Sequence, residues 1–84
     1  MRITFKLFAS LTDFLPPEAR HSNIVELDVA PDAPISQIIE PFGLPPKMVH
    51  LVLVNGTYIE PGQRLTHTLR EGDVLAIWPP IAGG

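Results

Sequence analysis

The chain has 84 residues, 45% apolar and 18% charged, with a net charge of -3 at neutral pH: one small domain, with enough apolar surface for a core and the wrong sign to gain affinity by neutralising phosphates. Cysteine is absent, which excludes disulfides, thiolate metal sites and side-chain thiol chemistry, so any sulfur this protein handles rides on no side chain. No apolar run is long enough to span a bilayer and no apolar leader follows Met1; the expectation is a soluble cytoplasmic protein with neither nucleic acid nor membrane as partner.

From Ile3 to Phe8 apolar and polar residues alternate, with Ile3, Phe5 and Leu7 on one face and Arg2, Thr4 and Lys6 on the other, which predicts a half-buried first strand. Ser10 is placed to cap a short helical stretch over Leu11 to Leu15, with Asp13 near its positive end, before Pro16-Pro17 stops it. Alternation returns over Ile24 to Val29, where Val25, Leu27 and Val29 share a face, and this second strand is expected to pair with the first.

Pro34 suits the first turn of a helix whose stripe is Ile35, Ile38, Ile39 and Phe42. Pro41 removes a backbone donor late in that segment and Gly43 suits a left-handed ending, so the helix is expected to be short. Leu51 to Val54 is continuously apolar, as in a strand buried on much of both faces, and Asn55-Gly56 signals a tight turn toward Thr57 to Ile59. Leu69 to Asp73 forms a further turn, and Val74 to Trp78 is a last strand ended by Pro79-Pro80. The pattern predicts an α+β, ubiquitin-like β-grasp: a mixed sheet of four to five strands on one main helix, plus a short helix after the first strand. Residues 1–78 form this domain and 79–84 a flexible carrier tail.

The last residues, Pro79-Pro80-Ile81-Ala82-Gly83-Gly84, read as a native end that acts as a chemical group. Gly83-Gly84 has no side chains and fits a channel about one backbone wide. The carboxylate of Gly84 is anionic at neutral pH and a poor electrophile, so it must be activated before it reacts. Adenylation by a partner using ATP, followed by attack of a persulfide sulfur, would leave a thiocarboxylate there. Extended, the six tail residues reach roughly 20 Å. Ordering four of them costs on the order of 4 to 8 kcal/mol, and burying Trp78 returns roughly 4 to 6 kcal/mol at ~25 cal/mol/Å². A wider apolar contact is therefore needed. If Leu75 and Ile77 face the core, Val74, Ala76 and Trp78 lie on the opposite side of the sheet, and Phe8, out of phase with Ile3, Phe5 and Leu7, joins them in an exposed strip. Trp78 can also be read as a core aromatic.

These residues resemble the β-grasp sulfur carriers represented by the small subunit of molybdopterin synthase (MoaD) and the thiamine-pathway carrier (ThiS). The likeness rests on Val54-Asn55-Gly56, on Leu69 with Gly72-Asp73-Val74, on Trp78 through Gly84, and on Phe5, Leu7, Phe8 and Ala9. The resemblance implies three partners: a ubiquitin-activating-like adenylyltransferase, a sulfur-accepting synthase subunit, and, indirectly, a sulfur donor such as a desulfurase or rhodanese. Pro79-Pro80 before a small apolar residue and the diglycine resembles the molybdopterin branch, in which the tail enters the synthase large subunit. The resemblance also implies that Phe8, Trp78, Pro79, Pro80, Ile81, Ala82 and Gly83 meet partners while Gly84 carries the chemistry, with Val74 and Ala76 added to the contact by the alternation of the last strand, and that the chain is a cosubstrate rather than an enzyme, binding no cofactor itself.

His21, His50 and His67 lack ligand spacing, so no metal is assigned. Ser10, Ser22 and Ser36 have no nucleophile context. Other acceptors, in thiamine, cysteine or another metabolite pathway, fit the same tail. So does a protein modifier joined to lysines through Gly84, and a noncatalytic β-grasp binding module keeps the fold but leaves the tail inert.

Overall fold

The computed structural model describes residues 1–80. Five strands form one sheet: β1 (Arg2–Leu7), β2 (Ile24–Asp28), β3 (Leu51–Val54), β4 (Thr57–Tyr58) and β5 (Val74–Trp78), in the order β2-β1-β5-β3-β4. β1 and β5 are parallel and the other pairings antiparallel. With the single α-helix, α1 (Ile35–Ile39), across one face, this is the ubiquitin-like β-grasp that the alternation predicted.

The core follows from that alternation. Ile3, Phe5, Leu7, Val52, Leu75 and Ile77 project to one face of the sheet and are fully buried against Ile35, Ile38, Leu11 and Leu15. Pro41 limits α1 to five residues. The chain continues as a 3-10 turn, Glu40–Phe42, which Gly43 closes in the left-handed conformation at φ 67°. Phe42 still reaches the core from that turn, its ring 4.7 Å from that of Phe5. Asn55 and Gly56, both at positive φ, make the two-residue β3–β4 turn.

Some local expectations are corrected. Pro34 occupies the cap position in extended conformation, and the helix begins one residue later. Ser10 caps nothing: the segment after β1 is a 3-10 helix, Ala9–Phe14, whose capping position is Phe8, with no side-chain cap bond. Ala9 adopts φ 54°, which ends the strand abruptly and puts Ser10 inside the first turn. The strand expected over Thr57 to Ile59 spans Thr57–Tyr58.

Sequence reading missed Arg64, which is 9% exposed. Its guanidinium donates to the carbonyls of Ile59 at 3.1 Å, Val49 at 3.2 Å and His50 at 3.1 Å. Three main-chain acceptors at the lower end of the β3–β4 hairpin thus share one charged donor, which explains how an arginine without a carboxylate is accommodated inside.

Candidate functional site

The parallel pairing of β1 with β5 builds the site. Leu7 is opposite Ile77, and the Phe8 amide donates to the Ile77 carbonyl at 3.1 Å, so the next residues in line, Phe8 and Trp78, stand side by side on the outer face. Their rings are stacked, with centroids 3.9 Å apart and planes within 5°. Both are half-buried. Trp78 is therefore no core aromatic: it forms, with Phe8, an apolar platform at the point where β5 gives way to Pro79-Pro80.

Cross-strand register widens the platform. Leu51 is opposite Trp78, Leu53 is opposite Ala76, and Tyr58 is opposite Leu53. Leu51 and Leu53 are half-buried on this face while Val52 and Val54 point into the core. The apolar run in β3 thus reflects a core face and an uncovered apolar face, rather than the two-sided burial expected. That is the part of the site sequence reading missed, because a continuous apolar run carries no record of what covers it.

Of the expected contact residues, Val74 is half-buried on this face, opposite Thr4. Ala76 is on the same face but only 7% exposed. Its methyl is flanked by Lys6 and Leu53, its neighbours on the two adjoining strands, so it is the floor of the patch rather than a raised contact. Pro79 is half-buried and Pro80 exposed. Ile81, Ala82 and Gly83, expected to meet partners, and Gly84, expected to carry the chemistry, lie outside the described residues.

The opposite end of the same face is polar and internally paired. The Thr4 hydroxyl donates to Glu26 Oε2 at 2.7 Å, and Arg2 Nε to Asp28 Oδ1 at 3.2 Å. A second polar knot sets where β5 starts. Asn55 Oδ1 accepts from the Val74 amide at 2.8 Å, its Nδ2 donates to Asp73 Oδ1 at 2.9 Å, and Asp73 Oδ2 accepts from the Arg70 amide at 2.8 Å. The hairpin turn and the turn before β5 are thereby locked together, which fixes β3 against β5, while the β1–β5 pairing sets Trp78 beside Phe8.

Among the described residues no three or more His, Cys, Asp or Glu side chains are grouped to hold a metal ion, and no helix is long and apolar enough to cross a membrane. What the arrangement offers is a partly exposed apolar face whose stacked aromatic pair stands immediately before Pro79-Pro80.

Comparison with known proteins agrees with this architecture. SAMP1 from Haloferax volcanii superposes with a TM-score of 0.65 at 27% identity over 100% of both chains. A second crystal structure, of H. volcanii small archaeal modifier protein 1, gives 0.66 at 25% identity, covering 95% of this chain and 98% of that one. A chain from the complex of subunits 1 and 2 of the molybdopterin-converting factor of Helicobacter pylori gives 0.58 over 100% of both chains; at 15% identity it speaks to the fold alone. No curated protein matches the chain. The Mut7-C ubiquitin family model matches residues 1–82. With its β-grasp of the MoaD/ThiS type, the chain belongs to the Mut7-C ubiquitin family.

Proposed function

We propose that this protein is a ubiquitin-like carrier that presents its C-terminal Gly84 carboxylate for activation, is thiocarboxylated there, and delivers sulfur to an acceptor, with molybdopterin synthesis as the first acceptor pathway. The observation that supports it most is the stacked Phe8–Trp78 pair, held on an uncovered sheet face immediately before the tail. A partly exposed aromatic pair continuous with Leu51, Leu53 and Val74 forms a contiguous apolar patch of the kind that marks interaction surfaces. Its place at the tail's base is where a partner must grip to offset the entropy of ordering that tail.

The chemistry balances without a catalytic group on this chain. A carboxylate oxygen attacks the α-phosphorus of ATP in the adenylyltransferase, and pyrophosphate leaves. The terminal sulfur of a donor persulfide attacks the acyl-adenylate carbonyl, AMP leaves, and an acyl disulfide forms. A second donor thiol cleaves that disulfide, leaving the thiocarboxylate on Gly84 and a disulfide on the donor. The chain is a cosubstrate, consumed once per sulfur and regenerated, and the ATP is bound by its partner. A synthase subunit that accepts the tail is the second partner; the matching fold of a chain from the two-subunit molybdopterin-converting factor complex supports that reading.

A second reading has its own support. The likeness to a small archaeal modifier protein favours conjugation, in which the activated Gly84 carbonyl is attacked by a lysine amine of another protein and an isopeptide bond forms. The two readings share their first step. Incubation with ATP, a persulfide donor and the adenylyltransferase of the same genome, followed by intact mass, tests it: a gain of about 16 Da on the C-terminal peptide, sulfur replacing a carboxylate oxygen, is expected. Adducts surviving a denaturing, reducing gel would give the modifier reading the lead. Unaltered mass in the presence of an active adenylyltransferase would leave the inert binding module.

A further inference from the structure

Lys6 is out of character with its surroundings. The row of cross-strand neighbours running through it is Tyr58, Leu53, Ala76, Lys6 and Ile24, so it is the one charged residue in that row. Phe8, two residues further on the same side of the chain, places the stacked aromatic pair about 7 Å away. Lys6 is half-buried, and Ala76 beside it is nearly covered although no layer of described residues lies over this face. The aliphatic stem of a lysine can supply such cover while its ammonium stays in water.

Among the described residues no carboxylate forms an ion pair with it. The carboxylates in the neighbouring rows of the face belong to Glu26, one oxygen of which accepts from the Thr4 hydroxyl, and to Asp28, which pairs with Arg2. Neither lies within ion-pair distance of the Lys6 ammonium. An ammonium carried into a contact by the apolar residues around it loses its hydration, and the loss is offset only if the incoming surface supplies an acceptor, best a charged one.

We propose that Lys6 is the specificity-determining cation of the docking face, and that the occupant is a partner protein whose apolar contact surface carries one Asp or Glu carboxylate set against Lys6. This rests on the docking reading above and adds to it the partner's chemistry. An all-apolar surface would strand the ammonium and a basic one would be repelled. A second copy of this chain fits poorly: a two-fold axis through the patch brings the two Lys6 ammoniums together, with no carboxylate inside the apolar field to separate them.

The adenylyltransferase of the same genome is the probe. Initial rates of pyrophosphate release are measured against concentration of the wild type, F8A, W78A, K6R, K6M and K6E, at low salt and at about 1 M salt, where the screening length falls to about 3 Å. K6R is expected within about 2-fold of wild type in KM, K6M to raise KM about 5- to 10-fold, and K6E about 100-fold or more, with kcat and melting midpoint unchanged. The K6M deficit should shrink toward unity at high salt. If F8A and W78A raise KM while K6M and K6E do not, the docking reading stands and the inference about Lys6 is overturned. A K6M deficit that tracks a lowered melting midpoint also overturns it, by assigning Lys6 to folding, and so does sedimentation showing a dimer that F8A or W78A dissociates. If the wild type is not adenylated at all, the functional reading fails and takes the inference with it.

Discussion

Both faces of this sheet carry large apolar residues, and they differ in what covers them. Ile3, Phe5, Leu7, Val52, Leu75 and Ile77 on the inner face are fully buried under α1 and the turns that follow β1 and α1. Phe8, Leu51, Leu53, Val74 and Trp78 on the outer face are half-buried with no layer of described residues above them. Apolar content alone therefore does not locate a core. The inner residues stabilise the fold by leaving water when the chain folds, and the outer ones, only partly removed from water, leave part of that free energy unrealised.

The sharpest way to break the comparison is to truncate one large residue on each side. Phe5→Ala removes a fully buried ring that packs on Phe42, and is expected to cost about 3 to 5 kcal/mol, read as a fall in the urea midpoint at unchanged m-value. In a domain this small that is much of the total stability. Trp78→Ala removes a larger side chain, but a half-exposed one, and is expected to cost only about 1 to 2 kcal/mol while raising KM for the adenylyltransferase at least about 10-fold. A double cycle with Phe8→Ala should return a stacking energy of about 0.5 to 1.5 kcal/mol in the free protein. Loss of stability at Trp78 as large as at Phe5, with KM unmoved, would make the outer face a second core.

Arg64 tests the inner boundary from its polar side. Arg64→Met keeps much of the stem and removes the shared donor, stranding the carbonyls of Val49, His50 and Ile59. A destabilisation of about 2 to 4 kcal/mol is expected. Hydrogen exchange should accelerate first at the β3–β4 hairpin, since the acceptors belong to its lower end. Uniform acceleration over the whole sheet would mean that the hairpin opens only when the domain does.

How much of this was legible in the sequence depends on whether the signal was local. Asn55-Gly56 announced its turn because few residue pairs accept positive φ at both positions, and Pro41 with Gly43 announced a short helix because a missing donor and a left-handed ending are properties of those residues alone. The phase of Phe8 and Trp78 against Leu7 and Ile77 was legible too, since period two needs no partner. Their stacking was not: it depends on the register of two strands nearly seventy residues apart, set by the parallel β1–β5 pairing. Leu51 and Leu53 were misread because an apolar run looks the same under a helix and under nothing. Arg64 went unnoticed because its carbonyl partners have no sequence signature.

The knot gives a pH-dependent prediction. Asn55→Asp keeps an acceptor for the Val74 amide but sets a second carboxylate against Asp73 in place of the donated bond. The crowded pair takes up a proton more readily when folded than when unfolded, so its folded-state pKa is raised, and the folded state of the variant loses stability as pH rises. The deficit relative to wild type should be about 1 to 2 kcal/mol at pH 7 and should shrink as pH falls below about 4. A deficit independent of pH would trace the effect to lost turn propensity instead.

The smallest effect is expected at Ala9, the residue that ends β1 and lets Phe8 turn to the outer face. At φ 54° its Cβ crowds the backbone, at a cost of roughly 1 to 2 kcal/mol that glycine would not incur. Glycine also gains freedom in the unfolded chain, which returns much of the difference. Ala9→Gly should therefore raise stability by less than about 1 kcal/mol, a shift of a few degrees at most in the melting midpoint. Its value lies in the second readout. If Ala9 only releases strain, the Phe8–Trp78 stack is untouched and KM for the adenylyltransferase stays at the wild-type value. If the left-handed residue also has to be stiff to hold Phe8 against Trp78, KM rises while stability does not fall, and the outer face is shown to depend on a backbone position that contributes no side chain to it.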